Sequence, residues 1–376
     1  MARHQVRWDP PPHTKAKHQL LRAYLDAWFP KMAYGLGRSG RLQLNYLDAF
    51  AGPGIYSDNS PGSPIVALKS LVENPSFPNW RNVTFFFLFV DEDREVIESL
   101  SNEVDTFWKD RVEGQPTNVR VAIELKTFEE LTTGLKATNL RTGRPIQPTF
   151  AFVDPFGFAD MPIPTLCEVL GQGRCEVFFS FMYEWINRFA TKDDDALQVQ
   201  FEKLFGSSRH RDVRGLSPDQ RRTLLHELCN EVFLEVGKFD FVRQFEMQGD
   251  RNSTLYTLLF ATNSKDGVHV MKNAMWKVDP VRGLRFADWD SGHPVLFEGE
   301  PDYAELRRIV RAKFANQEIS VNDLLDFVRI HSTYREEFLR EHVLRPFETS
   351  NAITVETNGA PRRGRSYKPE YMIKFI

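Results

Sequence analysis

The chain has 376 residues, of which 41% are hydrophobic and 26% are charged, and this size predicts two domains or one domain with large additions. Its 48 Lys and Arg against 51 Asp and Glu give a net charge of −3, which excludes binding to nucleic acid or membranes through bulk positive charge. The three cysteines form no CxxC pair, which argues against a disulfide scaffold or a zinc ribbon. Without a signal-like or membrane-length apolar run, we expect a cytoplasmic protein that uses no membrane.

The first predicted element is a helix that begins near Thr14, after three prolines, and has Leu20, Leu21 and Tyr24 on one face. Its first turn contains basic residues. We expect this helix to form an N-terminal extension over 1–40.

Short apolar strands then alternate with helical segments, which predicts a parallel sheet covered by helices on both faces. A helical insert over 183–237, in which Ser217 begins a capping box, separates the last of these strands from two extended runs that predict an antiparallel hairpin. The fold class is therefore α/β, with five parallel strands and a closing hairpin over 41–280. The strands are expected at 42–47, 84–90, 119–125, 149–153 and 175–182, the hairpin at 239–248 and 253–262, and the helices at 64–73, 94–104, 128–137 and 164–170.

A Gly-, Pro- and Asp-rich segment over 281–300 predicts a linker, after which the pattern becomes helical. The order helix, helix, helix, strand, loop, strand over 301–376 is that of a winged-helix domain. The helices are expected at 302–314, 321–331 and 333–346, and the strands at 352–356 and 371–375.

A glycine-rich turn that contains Phe50, Gly52 and Gly54 follows Asp48, the last residue of the first strand. Open α/β sheets bind ligands at this carboxyl edge, although a tight strand-to-helix turn is the simpler alternative. A dinucleotide site would have a third glycine three residues later and a helix starting at once, whereas this chain has serine there and a helix only near 64. A cofactor without phosphates fits better, and S-adenosylmethionine is such a cofactor.

Carboxylates also end the second and fourth strands. Asp91 lies at the tip beside the glycine turn, where it is suited to accept both ribose hydroxyl hydrogens, unless it is only a solvated edge charge. Asp154 and the carbonyl of Pro155 could accept the N–H groups of a flat amine, with Phe156 or Phe158 stacked on it. The alternative is a strand end broken by proline and flanked by core phenylalanines.

The constellation resembles class I S-adenosylmethionine-dependent methyltransferases, which share a D-x-F-x-G-x-G motif, an acidic second strand tip and a D-P-aromatic motif. Phe156 stands where amino methyltransferases have a second proline, so the resemblance specifies the cofactor more than the reaction. More narrowly, the chain resembles the three-Cys-motif partner proteins over about 15–280. That resemblance implies a partner protein, thought to be radical-enzyme-like, that bears the three cysteines. The matching segments are Lys17-His18, 46–54, 62–64, 154–157, Met271-Lys272 and Met275-Trp276.

Other candidate sites are weaker. The nine histidines have no spacing that would pair two of them on one helical face, so we predict no metal and expect His13 and His18 to be exposed. No G-x-S-x-G elbow indicates a serine nucleophile. Met271, Met275 and Trp276 have the spacing of a core stripe on a helix.

A basic loop in the C-terminal domain is the candidate nucleic-acid interface. It contains Arg362, Arg363, Arg365 and Lys368, and 357–376 has five basic residues against one acidic residue, a local charge of 5 − 1 = +4. Three arginines within four positions are expected to lack internal partners, so they could lie along phosphates. The alternative is a loop that only aids solubility.

Two functions follow from these features. The first is a methyltransferase that acts on an amine of a nucleic-acid base, DNA or RNA. The second is a binding subunit that brings nucleic acid to a partner enzyme without transferring a methyl group.

Overall fold

The computed structural model describes residues 6–36, 42–143, 146–171, 173–249, 253–287, 300–357, 359 and 361–376. They fall into two compact units. The first contains the described residues up to Ser264, and the second contains Lys265–Arg285 and the residues from 300 onward, while 286–287 return to the first. The boundary therefore lies earlier than the predicted linker, most of which, 288–299, is outside the described residues.

The first unit has one sheet with the strand order β3-β2-β1-β4-β5-β7-β6-β8. The first five strands are parallel to one another, and β7 runs antiparallel to both β5 and β6. This confirms the predicted α/β class, with five parallel strands closed by an antiparallel hairpin. The strands are β1 (Leu42–Asp48), β2 (Val83–Asp91), β3 (Val119–Leu125), β4 (Thr149–Val153), β5 (Glu176–Phe181), β6 (Phe241–Gln248), β7 (Thr254–Thr262) and β8 (Arg285–Ala287).

The chain order reverses at β1, because β2 and β3 lie on one side of it and β4 and β5 on the other. Such a switch point opens a crevice at the carboxyl ends of the strands. The edge strand β8 has only three residues and carries no alternating pattern long enough to predict. The helices of this unit are α1 (Pro12–Leu36), α2 (Ser63–Val72), α3 (Arg94–Lys109), α4 (Phe128–Thr142), α5 (Ile163–Leu170), α6 (Tyr183–Phe189), α7 (Asp195–Phe205) and α8 (Pro218–Glu231).

Local signals explain where several helices start. Asp93 caps α3 by accepting from the amides of Glu95 and Val96. The Ser217 hydroxyl accepts from the Gln220 amide, and the Gln220 side chain accepts from the Ser217 amide, which is the predicted capping box. These caps fix the loops that precede the helices, and the loop before α3 belongs to the carboxyl edge.

The second unit begins with α9 (Lys265–Val278), which contributes Trp276 to a core shared with α10 (Tyr303–Phe314) and α11 (Val321–His331). The predicted burial of the Met271, Met275 and Trp276 stripe is confirmed. A small antiparallel sheet has the order β10-β11-β9. Its strands are β9 (Glu318–Ser320), β10 (Ile353–Glu356) and β11 (Met372–Phe375).

The third helix of this unit starts later than predicted. It comprises a π-helical turn, Leu339–Leu344, and α12 (Arg345–Thr349), rather than a helix over 333–346. The reason is local, since Ser332 is extended (φ −133°, ψ 166°) and its hydroxyl donates back to the Val328 carbonyl. Among the described residues, no helix is long and apolar enough to cross a membrane.

Candidate functional site

The turn after β1 approaches the carboxyl edge with two glycines in the left-handed region, Gly52 (φ +64°) and Gly54 (φ +82°). A Cβ on Gly54 would lie 2.9 Å from the Leu100 side chain, and one on Gly62 would lie 3.1 Å from the Gly54 carbonyl, so these two glycines are needed for packing. A Cβ on Gly52 would meet nothing within 4 Å. The backbone at Gly52 is therefore open to an approaching ligand.

Asp91, at the end of β2, is tied to this turn. Its Oδ2 accepts from the Gly52 amide at 3.0 Å, and its Oδ1 accepts from the Asp93 amide at 3.1 Å. A carboxylate oxygen has two lone pairs, so both oxygens can accept one further hydrogen bond. Partial burial raises the pKa of Asp91, and the two amides oppose that rise.

A cleft of about 460 Å³ lies at this edge and brings together Gly52, Asp91, Pro155 and Phe156. With Phe50, five of the residues selected from the sequence for the cofactor and the acceptor thus line one space. The remaining lining residues come from the N-terminal segment, the loop before α3, α3 itself and the loop after β4. They are Val6, Trp8, Glu92, Asp93, Val96, Gly157, Ala159 and Met161.

A second, narrow cavity of about 20 Å³ shares Trp8, Phe50, Gly52 and Phe156 with the cleft. It adds Asp154 and, on the other side, residues of α1 and of the loop before α2. The two cavities therefore form neighbouring parts of one site, with Asp91 at one end and Asp154 at the other. The added residues are His18, Ala51, Pro53, Gly54, Ile55, Tyr56, Gly62, Ser63 and Asp154.

Asp48 is fully buried and does not line the cleft. The Tyr46 hydroxyl donates to its Oδ2 at 3.2 Å. Burial raises the pKa of Asp48 to about 7, with a contribution from the charge of Asp154, while hydrogen bonds from Ser63 and Tyr46 oppose the rise. Its position supports the turn rather than a ligand contact.

Asp154 forms an ion pair with Lys17, whose ammonium donates to Oδ2. Lys17 is 5% exposed, and its Nζ also lies 5.1 Å from the centre of the Tyr256 ring. This partner of Asp154 was not predicted from the sequence. The signal is present, because Lys17 lies three, four and seven positions before the buried Leu20, Leu21 and Tyr24, on the apolar face of α1.

The expected exposure of His13 and His18 is wrong. Both are partly buried, and His18 packs near the Tyr56 ring at 5.8 Å while the His13 ring lies 5.6 Å from Tyr256. Burial and the neighbouring Lys17 lower the pKa of His18 to about 4, so its imidazole is neutral near pH 7.

The two phenylalanines after Pro155 have different positions. Phe158 does not face the cleft, since it is 7% exposed and stacks on Phe201 with centroids 4.8 Å apart and planes at 4°. Its expected role beside an acceptor is wrong, because the loop directs it into the core. Phe156 is 69% exposed, and the Trp8 ring meets it edge-on at 5.3 Å.

The N-terminal segment is held against the loop that follows the glycine turn. The Trp8 carbonyl accepts from the Ser57 amide at 3.1 Å, and the Arg7 guanidinium pairs with Glu103 at 2.6 Å. Trp8 also meets the Tyr56 ring edge-on at 5.6 Å. These contacts place Trp8 where both cavities meet.

In the second unit, the basic loop has an internal anchor. Arg362 pairs with Glu348 of α12, with Nη2 at 3.0 Å from Oε2, and its guanidinium lies 5.0 Å from the Tyr367 ring centre. The expectation that the three arginines lack internal partners is therefore wrong for Arg362, and Arg365 also donates to the Thr349 hydroxyl at 2.6 Å. Arg363, Arg365 and Lys368 are exposed, so their charges face solvent.

No group of three His, Cys, Asp or Glu side chains within the described ranges is arranged to hold a metal ion. Burial raises the pKa of each cysteine, Cys167, Cys175 and Cys229, above its usual range. These thiols are thus inert at neutral pH.

No family model matches this chain, and no curated protein matches it. Similar solved structures include a Legionella pneumophila protein, 11% identical, with a TM-score of 0.37 over 69% of this chain and 86% of that one. Another is Trm1 from Pyrococcus horikoshii in complex with S-adenosyl-L-methionine, 10% identical, with a TM-score of 0.38 over 72% of this chain and 61% of that one. A third is an S-adenosylmethionine-dependent methyltransferase from Methanosarcina mazei, 12% identical, with a TM-score of 0.26 over 58% of this chain and 91% of that one. At these scores, the fold assignment rests on the strand order of this chain.

Proposed function

We propose that this protein binds S-adenosylmethionine and transfers its methyl group to an amine of a nucleic-acid base. The observation that supports this most is the convergence of Gly52, Asp91 and Pro155 on one cleft, with Asp154 in the adjoining cavity. They lie at or just after the carboxyl ends of β1, β2 and β4, so they meet at the switch point, where open α/β sheets bind their ligands.

The cleft fits a nucleoside cofactor without phosphates. Its volume of about 460 Å³ lies within the range of small-molecule sites, roughly 300–1,000 Å³. Asp91 can accept ribose hydroxyls with the lone pairs that the two amides leave free, and Gly52 allows close approach. The N-terminus of α2 starts only at Ser63, so it does not follow the turn directly as a pyrophosphate site requires. When bound, S-adenosylmethionine supplies an electrophilic methyl group on a sulfonium.

The other end of the site suits a flat acceptor. The Phe156 ring is exposed and offers a stacking face, while Asp154 and the Pro155 carbonyl are hydrogen-bond acceptors for an amine. Methyl transfer needs mainly the alignment of the acceptor lone pair, and these groups can supply it.

We further propose that the second unit is a winged-helix domain that binds nucleic acid. The order of α10, β9, α11, the third helix, β10 and β11 agrees with that of a winged helix. Arg363, Arg365 and Lys368 provide the exposed charge for phosphates. The resemblance to three-Cys-motif partner proteins adds the proposal that a protein with that motif works with this one.

A specific observation favours the second candidate, a subunit that does not catalyse transfer. The Lys17 ammonium already occupies one oxygen of Asp154, and Trp8 already contacts Phe156. In this arrangement, the chain's own side chains take up part of the surface that an acceptor would use.

The test is a transfer assay with methyl-labelled S-adenosylmethionine, incubated with RNA and DNA, with and without the partner. We expect the wild type to label nucleic acid and Asp154→Asn to reduce labelling by at least about a hundredfold, since the amide has only one acceptor oxygen, for which the Lys17 ammonium competes, and its NH2 group cannot accept the amine hydrogens. Absence of labelling by a wild type that binds the cofactor would support the non-catalytic subunit instead.

The nucleic-acid proposal is tested by the salt dependence of binding to the full chain. Replacing Arg363, Arg365 and Lys368 with alanine should reduce the slope of log affinity against log salt by about 2–3, since each phosphate contact contributes close to one unit. Lys313→Ala is the control, because it removes an exposed charge of the same unit from α10, outside the basic loop. An unchanged slope in the triple variant would contradict the proposal.

A further inference from the structure

We propose that Lys17 is a positioning residue that sets the net charge at the Asp154 end of the site. Through that charge it sets the preference of the site for S-adenosylmethionine, a cationic sulfonium, over the neutral demethylated product. The inference rests on the proposed function. It assigns a role to a side chain that does not line the cavities but acts on them through Asp154.

The ion pair has one buried and one accessible member. Side-chain exposure is 6% for Lys17 and 22% for Asp154, and only Asp154 lines the narrow cavity. The ammonium holds Oδ2, so the carboxylate is fixed in place with its other oxygen left for the site. Since the two charges cancel, a ligand in the adjoining cleft faces a pair that is neutral overall.

The cavity with Asp154 adjoins the cleft through Trp8, Phe50, Gly52 and Phe156. In this proposal the ribose of the cofactor lies at Asp91, and its sulfonium end lies in the part of the cleft that borders the cavity with Asp154. A positive sulfonium there would be favoured by an unpaired carboxylate and disfavoured by an unpaired ammonium. Because the ion pair is neutral overall, the site neither strongly retains the cationic cofactor nor strongly excludes it, so the cofactor and the neutral product can replace each other.

Other charged groups around the pair can be held constant. His18 is neutral near pH 7, and Asp58 is paired with Lys15 at 2.8 Å. Asp48, Tyr46 and Tyr56 are further titratable groups near Asp154, and burial raises the pKa of both tyrosines, so they stay neutral near pH 8. Measuring all variants at one pH of about 8 keeps Asp48 in a single predominant form.

The experiment compares affinities for S-adenosylmethionine and S-adenosylhomocysteine by calorimetry. The two ligands have nearly the same shape and differ by one charge, so a general disturbance of the site changes both affinities, whereas a charge effect changes their ratio. Lys17→Met should increase the preference for the sulfonium by about tenfold, because the carboxylate is then uncompensated. Asp154→Asn should lower it by a similar factor, and the double variant should return close to the wild-type ratio.

Lys17→Arg preserves the charge and should leave the ratio unchanged. If Lys17→Met fails to fold, the opposite shift in Asp154→Asn and its reversal in the double variant still decide the matter. A ratio that stays constant in a protein that binds both ligands would overturn the role of Lys17 and leave the proposed function in place. A wild type that binds neither ligand would overturn both.

Discussion

The two ends of the cleft in the first unit are built in different ways. The cofactor end consists of a backbone turn and a strand tip. Gly52 lies in the turn after β1, Asp91 is the last residue of β2, and the Gly52 amide donates to the Asp91 carboxylate. At the acceptor end, Asp154 follows β4, but its partner Lys17 is 137 positions away in the chain. Main-chain geometry at a sheet edge is thus encoded locally, whereas the charge of the acceptor end depends on how α1 packs.

The largest effect that would test this contrast concerns the stability of the acceptor end. Asp154→Ala should lower the free energy of unfolding by about 3–5 kcal/mol, since it leaves the Lys17 ammonium buried without its counter-ion. Replacing both residues by apolar ones, Lys17→Met with Asp154→Leu, should recover most of that loss. Denaturant unfolding of the full chain measures both.

An exposed ion pair provides the control for that prediction. Lys136 and Glu168 are each 45% exposed, so Glu168→Ala should change stability by less than about 1 kcal/mol. Equal losses of stability in Asp154→Ala and Glu168→Ala would show that the Lys17 ammonium does not depend on Asp154 as a buried counter-ion.

The second prediction concerns the pH dependence of the free energy of unfolding that results from Asp48, which is buried at the start of the glycine turn. The pKa of Asp48 is about 7 in the folded protein against 3.8 for the free side chain, so between these values the folded state binds more protons than the unfolded state. Its contribution to stability therefore decreases as pH rises from about 4 to 7, by up to about 1.4 kcal/mol per pH unit. Asp48→Asn should remove this slope, as measured by unfolding at several pH values, and parallel curves for the two proteins would refute the assignment.

The third and smallest effect concerns the cofactor end. Gly52→Ala forces a side chain into a left-handed backbone and adds a methyl group on the open side of the turn, so cofactor affinity should fall by about 1–2 kcal/mol. Gly134→Ala is a matched control, because it lies within α4 and its added methyl group would also meet nothing within 4 Å. Calorimetric titration of both variants with S-adenosylmethionine distinguishes a loss of affinity that is specific to Gly52 from a general effect of replacing glycine with alanine.

These differences explain how much could be predicted from the sequence. The strands were predictable because their residues are apolar in continuous runs, as in β4 and β5, or in alternation, as in β1. The cofactor residues were predictable because they lie at the end of a strand or in the glycine-rich turn that follows one. β8 was not, since it has only three residues. Two ion pairs were missed, Arg362 with Glu348 and Lys17 with Asp154, because each joins side chains from separate elements. For Lys17 there is a second reason, since a basic residue on a helix is usually solvated.

The measurement that tests the central claim most directly is a calorimetric titration of the full chain with S-adenosylmethionine. We expect saturable binding, weakened by about 1–3 kcal/mol in Asp91→Ala, where ribose hydroxyls lose their acceptor. Asp105→Ala, which removes an exposed carboxylate from α3, should bind as the wild type does. No binding heat and no thermal shift at millimolar ligand would contradict the assignment of the cleft as a cofactor site.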